Sequence, residues 1–162
     1  MLMNKKIIGY DAKRIVRNGT GLGSYGRTLI NDLAPLMPDT NLRLYAPDAG
    51  RDDLRNQVEL RDNVKFCYPD HLRFRLQRDW WRVKGVVKDL KADGVELYHG
   101  LSGELPSGLA AAGIPGVVTI HDLIFLRHPE FYPAIDVFFY KRKFYQTLRE
   151  ATRIIAISEC TK

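Results

Sequence analysis

Lys6-Ile7-Ile8-Gly9-Tyr10, followed after a spacer of ten residues by Gly21-Leu22-Gly23-Ser24-Tyr25-Gly26, is the stretch on which the fold turns. The first run is short and apolar around two β-branched isoleucines, which reads as a buried strand. The second sets glycines at the mouth of an amphipathic helix over residues 23–36, with Tyr25, Leu29, Leu33 and Leu36 on one face before Pro38 stops it. A strand, a glycine turn and a helix together form the opening unit of a parallel α/β sheet.

Working outward, the same alternation continues to the end of the chain. Residues 42–46, 64–68 (ended by Pro69), 95–99, 117–120 and the nearly all-aliphatic 153–157 read as further strands. Residues 72–92 carry Leu76, Trp80, Val83, Val87 and Leu90 at helical spacing, with Gly85 a weak point. Residues 134–151 form an aromatic-rich helix with Ile135, Phe138, Phe139, Tyr145 and Leu148. The fold class is therefore α/β: a Rossmann-like, mostly parallel sheet with helices on both faces. Ser158 reads as an N-cap with no helix after it, which suggests a truncated chain or the front half of a longer protein.

Composition limits the function classes. With 162 residues, 45% of them apolar and 10% aromatic, the chain fits one globular domain that buries roughly 70% of its unfolded surface. Disorder, collagen-like repeats and a disulfide-knotted scaffold are excluded. No apolar run approaches the roughly 20 residues of a membrane span, and residues 1–10 lack a signal-peptide core. Cys67 and Cys160 have no CxxC spacing and read as buried free thiols of a reducing compartment, so the expected location is cytoplasmic.

The glycine turn is formally a GxGxxG, and taken alone it points to a dinucleotide. In that fingerprint the glycines follow the strand directly, whereas here residues 11–20 intervene. Asp48 lies at about the distance of a ribose-gripping acid, but Pro47 marks it as a loop residue. Three readings stay open: a nicotinamide or flavin site, a phosphate-facing loop of another kind, and a purely structural turn. His121-Asp122 and His99 each end a strand, where parallel sheets place their ligand loops. Two histidines at adjacent strand ends suit hydrogen bonding to sugar hydroxyls or stabilisation of developing charge, although each can also simply hold its own loop. There is no HExxH, Walker A or GxSxG pattern, and so no metal or hydrolytic nucleophile is expected.

The net charge of +6 is concentrated locally. Arg73, Arg75, Arg78, Arg82, Lys84, Lys88 and Lys91 stand against only Asp79 and Asp89, beside Trp80 and Trp81. The bland reading is a solvated face; the sharper ones are an anionic lipid surface or, without any accompanying motif, nucleic acid. Residues 131–149 interleave Phe138, Phe139, Tyr140, Phe144 and Tyr145 with Lys141, Arg142 and Lys143, read as core aromatics with snorkelling lysines or as an acceptor groove or membrane face.

Taken together, Ile8-Gly9-Tyr10-Asp11-Ala12-Lys13, Thr20-Gly21-Leu22-Gly23-Ser24-Tyr25, His99-Gly100 through Pro106, Val118-Thr119-Ile120-His121-Asp122-Leu123 and Ile155-Ala156-Ile157-Ser158-Glu159 resemble, in order and spacing, the N-terminal half of retaining GT-B glycosyltransferases of family four. That family usually has arginine where Lys13 and Ser24 stand. The resemblance implies that residues 1–162 are the acceptor-side domain and that the donor-binding domain is absent from this chain. It implies a hexosyl transfer with retention from a nucleotide-sugar donor to a glycan or lipid-linked acceptor, in polysaccharide or lipopolysaccharide biosynthesis, with no cofactor and no nucleic acid. Gly21, Leu22, Gly23 and Ser24 would border the donor diphosphate. His121 would be catalytic, lining the pocket of the transferred sugar, and Asp11, His99 and Asp122 would line the acceptor or sugar pocket. A lipid-borne acceptor would bring the protein peripherally to the inner face of a membrane. The alternatives are a dinucleotide (NAD or FAD) enzyme domain and a non-catalytic basic module that binds lipid or nucleic acid.

Overall fold

A computed structural model describes residues 5–70 and 74–162. Arg73, one of the basic residues singled out above, lies outside the described residues, as do residues 1–4 and the head of the helix expected from residue 72. Six parallel strands form one sheet: β1 (Lys6–Asp11), β2 (Thr40–Tyr45), β3 (Val64–Cys67), β4 (Leu97–Gly100), β5 (Gly116–Ile120) and β6 (Ala151–Ala156), in the order β3-β2-β1-β4-β5-β6. Between β1 and β4 the winding reverses, and open α/β sheets bind ligands outside the carboxyl ends of their strands at this switch.

The helices flank both faces of the sheet. On one face α1 (Lys13–Arg17) and α2 (Gly21–Leu36) bury Ile15, Val16 and Ile30 against Leu42 and Leu44. On the other, Trp81, Val86, Leu90, Leu105 and Leu109 close over Tyr98 and Val118. The short helices α3 (Asp52–Arg55) and α6 (Ile124–Arg127) and the long α7 (Ala134–Glu150) are further helices of the chain.

Three faces differ from the periodicity reading. The expected stripe of α2 includes Leu36, yet Leu36 is 75% exposed, and the buried line is Gly23, Gly26, Ile30 and Ala34. The small residues let α2 settle closely on α1: a Cβ on Gly26 would stand 2.8 Å from Ile15 Cγ1. Tyr25, Leu29 and Leu33 flank this line, partly buried.

The helix expected over residues 72–92 is broken by a π turn, Trp81–Gly85, between α4 (Arg75–Trp80) and α5 (Val86–Ala92). A π turn takes in an extra residue and so rotates the next helical turns about the axis. Trp81 is therefore buried to 6% exposure while Leu76, Trp80 and Val83 face outward, and the stripe resumes inward at Val86 and Leu90.

In α7 the burial expected of the aromatics is overturned. Ile135, Phe138, Phe139, Tyr140 and Tyr145 are exposed, and Val137 and Thr147 are buried. The rotation is set by hydrogen bonds to the loop after β4. Leu105 N–H donates to Thr147 Oγ1 at 3.2 Å, and the Gly108 and Ala110 amides donate to the Glu150 carboxylate at 2.8 and 2.9 Å.

Candidate active site

The spacer between β1 and the glycine turn is folded rather than slack. Its residues form α1, whose Ile15 and Val16 are fully buried, and its end is shaped by two polar side chains. Asn18 Oδ1 accepts from the Thr20 amide and hydroxyl at 2.8 Å each, and the buried Arg27 donates from Nη1 to the Ile15 and Asn18 carbonyls at 2.9 Å each. The Asn18 carbonyl is pressed against Gly23, where a Cβ would lie 1.8 Å from that oxygen. Gly23 thus has a packing reason within the chain itself, whereas Gly21 has open space around it. Ser24 N–H closes the first helical bond to Thr20 O at 3.0 Å, Asn18 Oδ1 also accepts from the Gly23 amide at 3.4 Å, and α2 has no acidic residue in its first turn. Its amino end is left electropositive, as suits an anion.

Beside that end opens a cavity of about 360 Å³, lined by Arg14, Leu22, Glu104, His121, Asp122 and Lys143 and walled by Phe125, Tyr132, Tyr140 and Phe144. Phe125 and Tyr140, and Tyr132 and Tyr140, meet edge to face at 6.0 and 5.9 Å, so the wall is a packed aromatic unit. His121 is held on three sides. Its Nε2 lies 2.8 Å from the Leu101 carbonyl, its ring stands edge-on to Tyr25 at 5.0 Å, and its own carbonyl accepts from Thr161 Oγ1 at 3.2 Å. Because a carbonyl only accepts, Nε2 carries the proton, and Nδ1 of the neutral ring offers a lone pair. Asp122 Oδ1 accepts from the Ile124 amide at 3.2 Å, which leaves its second oxygen for other partners.

The other expected site residues stand apart from this cavity. His99 is 8% exposed, with Nε2 2.8 Å from Thr119 Oγ1, and burial pushes its pKa down to about 4. Thr119 in turn bonds Tyr25 at 3.2 Å, so a chain of contacts through Thr119 and Tyr25 links His99 to His121. Asp11 lies beneath a neighbouring polar cluster and accepts from Arg82 Nη2 at 2.8 Å. Arg82, 12% exposed along its side chain, also pairs with Glu104. Burial works against its charge, but Asp11 and Glu104 outweigh that and hold the guanidinium charged. Burial likewise opposes ionisation of Glu104, which Arg82 and Lys143 nevertheless keep below the usual carboxylate range. Glu104 belongs to both pockets and joins the cluster to the cavity.

Asp48 is engaged by Arg17 and by Arg78 Nη1 at 2.7 Å, which occupies the carboxylate that a ribose would need. Among the described residues, no group of three or more His, Cys, Asp or Glu is placed to hold a metal ion. The glycine turn, the strand-end histidine with its aspartate and the parallel sheet thus meet at one crevice. The family model described as Glycosyltransferase Family 4 matches residues 21–162. The chain belongs to glycosyltransferase family 4. This family 4 domain is the N-terminal, Rossmann-like domain of a GT-B glycosyltransferase. The comparison with curated proteins gave no match.

Sequence reasoning missed Arg14, Glu104 and, in the aromatic wall, Phe125 and Tyr132, whereas Tyr140, Lys143 and Phe144 fall in the stretch for which an acceptor groove was one reading. Arg14 sits in a five-residue helix too short to show a period, and the wall is assembled from two helices and the turn between them.

Proposed function

We propose that this glycosyltransferase domain is the acceptor-side half of an enzyme that moves a hexosyl group, with retention, from a nucleotide sugar to a glycan or lipid-linked acceptor in polysaccharide or lipopolysaccharide biosynthesis. The donor-binding half lies outside this chain, and residues 1–162 alone transfer no sugar, because the reaction needs a cleft closed from both sides. The observation that carries the reading is the single cavity shared by Leu22 of the glycine turn, His121, Asp122 and an aromatic wall.

In this reading Gly21, Leu22, Gly23 and Ser24 border the donor diphosphate at the amino end of α2, which stabilises the negative charge of the leaving group. His121 lines the pocket of the transferred sugar, and its Nδ1 lone pair accepts from a sugar hydroxyl. The acceptor hydroxyl attacks the anomeric carbon from the face the diphosphate leaves, through an oxocarbenium-like state, and its proton passes to the departing phosphate oxygen. Asp122 and the aromatic wall hold the acceptor. Asp11 and His99 act on this pocket from behind, Asp11 through Arg82 and Glu104 and His99 through Thr119 and Tyr25.

A peripheral membrane contact belongs to the same reading. Exposed Phe74, Leu76, Trp80 and Val83 and exposed Phe138, Phe139 and Tyr145 lie among Arg75, Lys84, Lys141 and Arg142. Val83 and Lys143 line one small pocket, so the two surfaces adjoin beside the cavity mouth. Arg78 and Arg82 are withdrawn from that surface by their carboxylates. No helix among the described residues is long and apolar enough to cross a membrane.

The test is single-turnover sugar transfer by the complete enzyme. His121→Ala is expected to lower kcat by about 10²-fold or more with the fold intact. An unchanged kcat at unchanged thermal stability would remove His121 from the reaction. Micromolar binding of NAD to the domain, in place of nucleoside diphosphates, would overturn the glycosyltransferase reading in favour of a dinucleotide.

A further inference from the structure

Two glycines of the turn set the height of the tyrosine between them. Gly23 is pressed on the Asn18 carbonyl and Gly26 on Ile15, with Leu101 Cδ1 3.4 Å from where a Gly26 Cβ would stand, so the first turns of α2 lie close on α1 and on the loop after β4. Tyr25 is thereby carried over the end of β5. Side chains of a strand alternate between faces, so Thr119 in β5 and His121, two positions on, share a side. Tyr25 touches both: its hydroxyl lies 3.2 Å from Thr119 Oγ1, and its ring stands at 87° to the His121 imidazole with centroids 5.0 Å apart. By periodicity Tyr25 is one more residue of the α2 stripe, and nothing in the sequence sets it beside a strand-end histidine.

The hydroxyl end of Tyr25 is anchored in a buried chain. Thr119, fully buried, stands between Tyr25 and His99 Nε2, the latter at 2.8 Å. The single hydroxyl proton of Thr119 serves one of these bonds, and a partner supplies the proton of the other. His99 is in turn seated beside Tyr10, ring centroids 5.7 Å apart. At His121 the Leu101 carbonyl fixes one ring atom, Nε2, and Thr161 holds only the backbone carbonyl, so neither stops the imidazole plane from tilting. A perpendicular aromatic neighbour does stop it, because the quadrupoles of two rings favour an edge-to-face approach. The tilt of the ring decides where the Nδ1 lone pair points, and a misplacement of about 1 Å can cost a reaction about 10²-fold.

We propose that Tyr25 is a positioning residue: its ring clamps the His121 imidazole so that Nδ1 faces the cavity, and its hydroxyl, tied to Thr119, keeps the clamp in place. The effect on sugar transfer rests on the role of His121 proposed above, whereas the clamp rests on the contacts of Tyr25 alone.

The test pairs Tyr25→Leu, which removes the ring, with Thr119→Val, which keeps the ring and removes the anchor of its hydroxyl. In the ¹⁵N-labelled chain, long-range correlation of the His121 ring protons with Nδ1 and Nε2 reads the tautomer. Wild type is expected to show one Nε2–H tautomer with ring-to-ring Overhauser contacts to Tyr25, Tyr25→Leu a mixture of tautomers with both nitrogens moved toward their average, and Thr119→Val a smaller move in the same direction. In the complete enzyme Tyr25→Leu is expected to lower kcat by about 10-fold with the donor KM within about twofold, and Thr119→Val to lower it by about threefold. Added to His121→Ala, Tyr25→Leu is expected to cost nothing further, as coupled residues do. If Tyr25→Leu loses the fold, the Thr119→Val nitrogen shifts decide. Unchanged His121 nitrogens in the folded variants, or a kcat loss that persists in full on top of His121→Ala, overturns the proposal. So does an unchanged kcat in Tyr25→Leu where His121→Ala is damaging. A freed ring in Tyr25→Leu with kcat unchanged in both variants would instead remove His121 from the reaction and leave the clamp standing.

Discussion

Lowering the pH from 7.5 to 5 is expected to cost the domain about 2 kcal/mol of stability through His99 alone. In the unfolded chain this imidazole takes up its proton near pH 6.5, whereas in the folded protein burial holds its pKa down to about 4. Between those values the unfolded state binds more protons, so stability falls as the pH falls. The contribution is complete above about pH 6.5, and the full loss of about 3 kcal/mol is reached below about pH 4. Against a typical total of roughly 5–15 kcal/mol this is a large share. Urea unfolding of wild type and His99→Gln at pH 7.5 and 5 isolates the effect, because carboxylates that titrate alike in both proteins cancel. The variant is expected to lose about 2 kcal/mol less on acidification than wild type. Equal acid losses in the two proteins, or an NMR titration of His99 near 6.5, would refute the reasoning and return His99 to solvent and to the cleft.

Gly23→Ala forces a Cβ against the Asn18 carbonyl and is expected to lower stability by about 3 kcal/mol or more, while Gly21→Ala, with open space around it, stays within about 1 kcal/mol; differential scanning calorimetry compares them. Trp81→Ala is expected to cost about 3–5 kcal/mol in urea unfolding and Trp80→Ala under about 1 kcal/mol, which reports directly on the phase shift made by the π turn. Arg82→Met leaves Asp11 buried without its cation and is expected to cost about 3–5 kcal/mol at pH 7, with a smaller loss once the carboxylates are protonated. Wild type is expected to cosediment with anionic vesicles at low salt and to be released at high salt, and a variant with Arg75, Lys84, Lys141 and Arg142 all changed to Gln to stay in solution; wild type remaining in the supernatant at low salt would reduce the patch to a solvated face.

The sheet was legible in the sequence because short apolar runs between turn residues announce parallel strands without reference to their neighbours, although at the edge strand β6 Ile154 and Ile155 are exposed rather than buried. All six strands lie within two residues of their expected positions, and the strand-end placement of His121-Asp122 comes from the same local rule. Rotation and company were not legible. Which face α7 turns inward depends on hydrogen bonds from residues 105–110, some forty positions away, and which tryptophan is buried depends on one π turn. His99 and His121 end adjacent strands and look equivalent in one dimension, yet one is sealed behind Thr119 and the other lines the cavity. Lys13, Arg14 and Arg17 are neighbours on one short helix, yet Arg17 pairs with Asp48, Lys13 lies among Arg82, Glu104, Asp79 and Asp11, and Arg14 lines the cavity. Local propensity is written residue by residue, whereas burial, pairing and the lack of a partner are properties of groups brought together from distant parts of the chain.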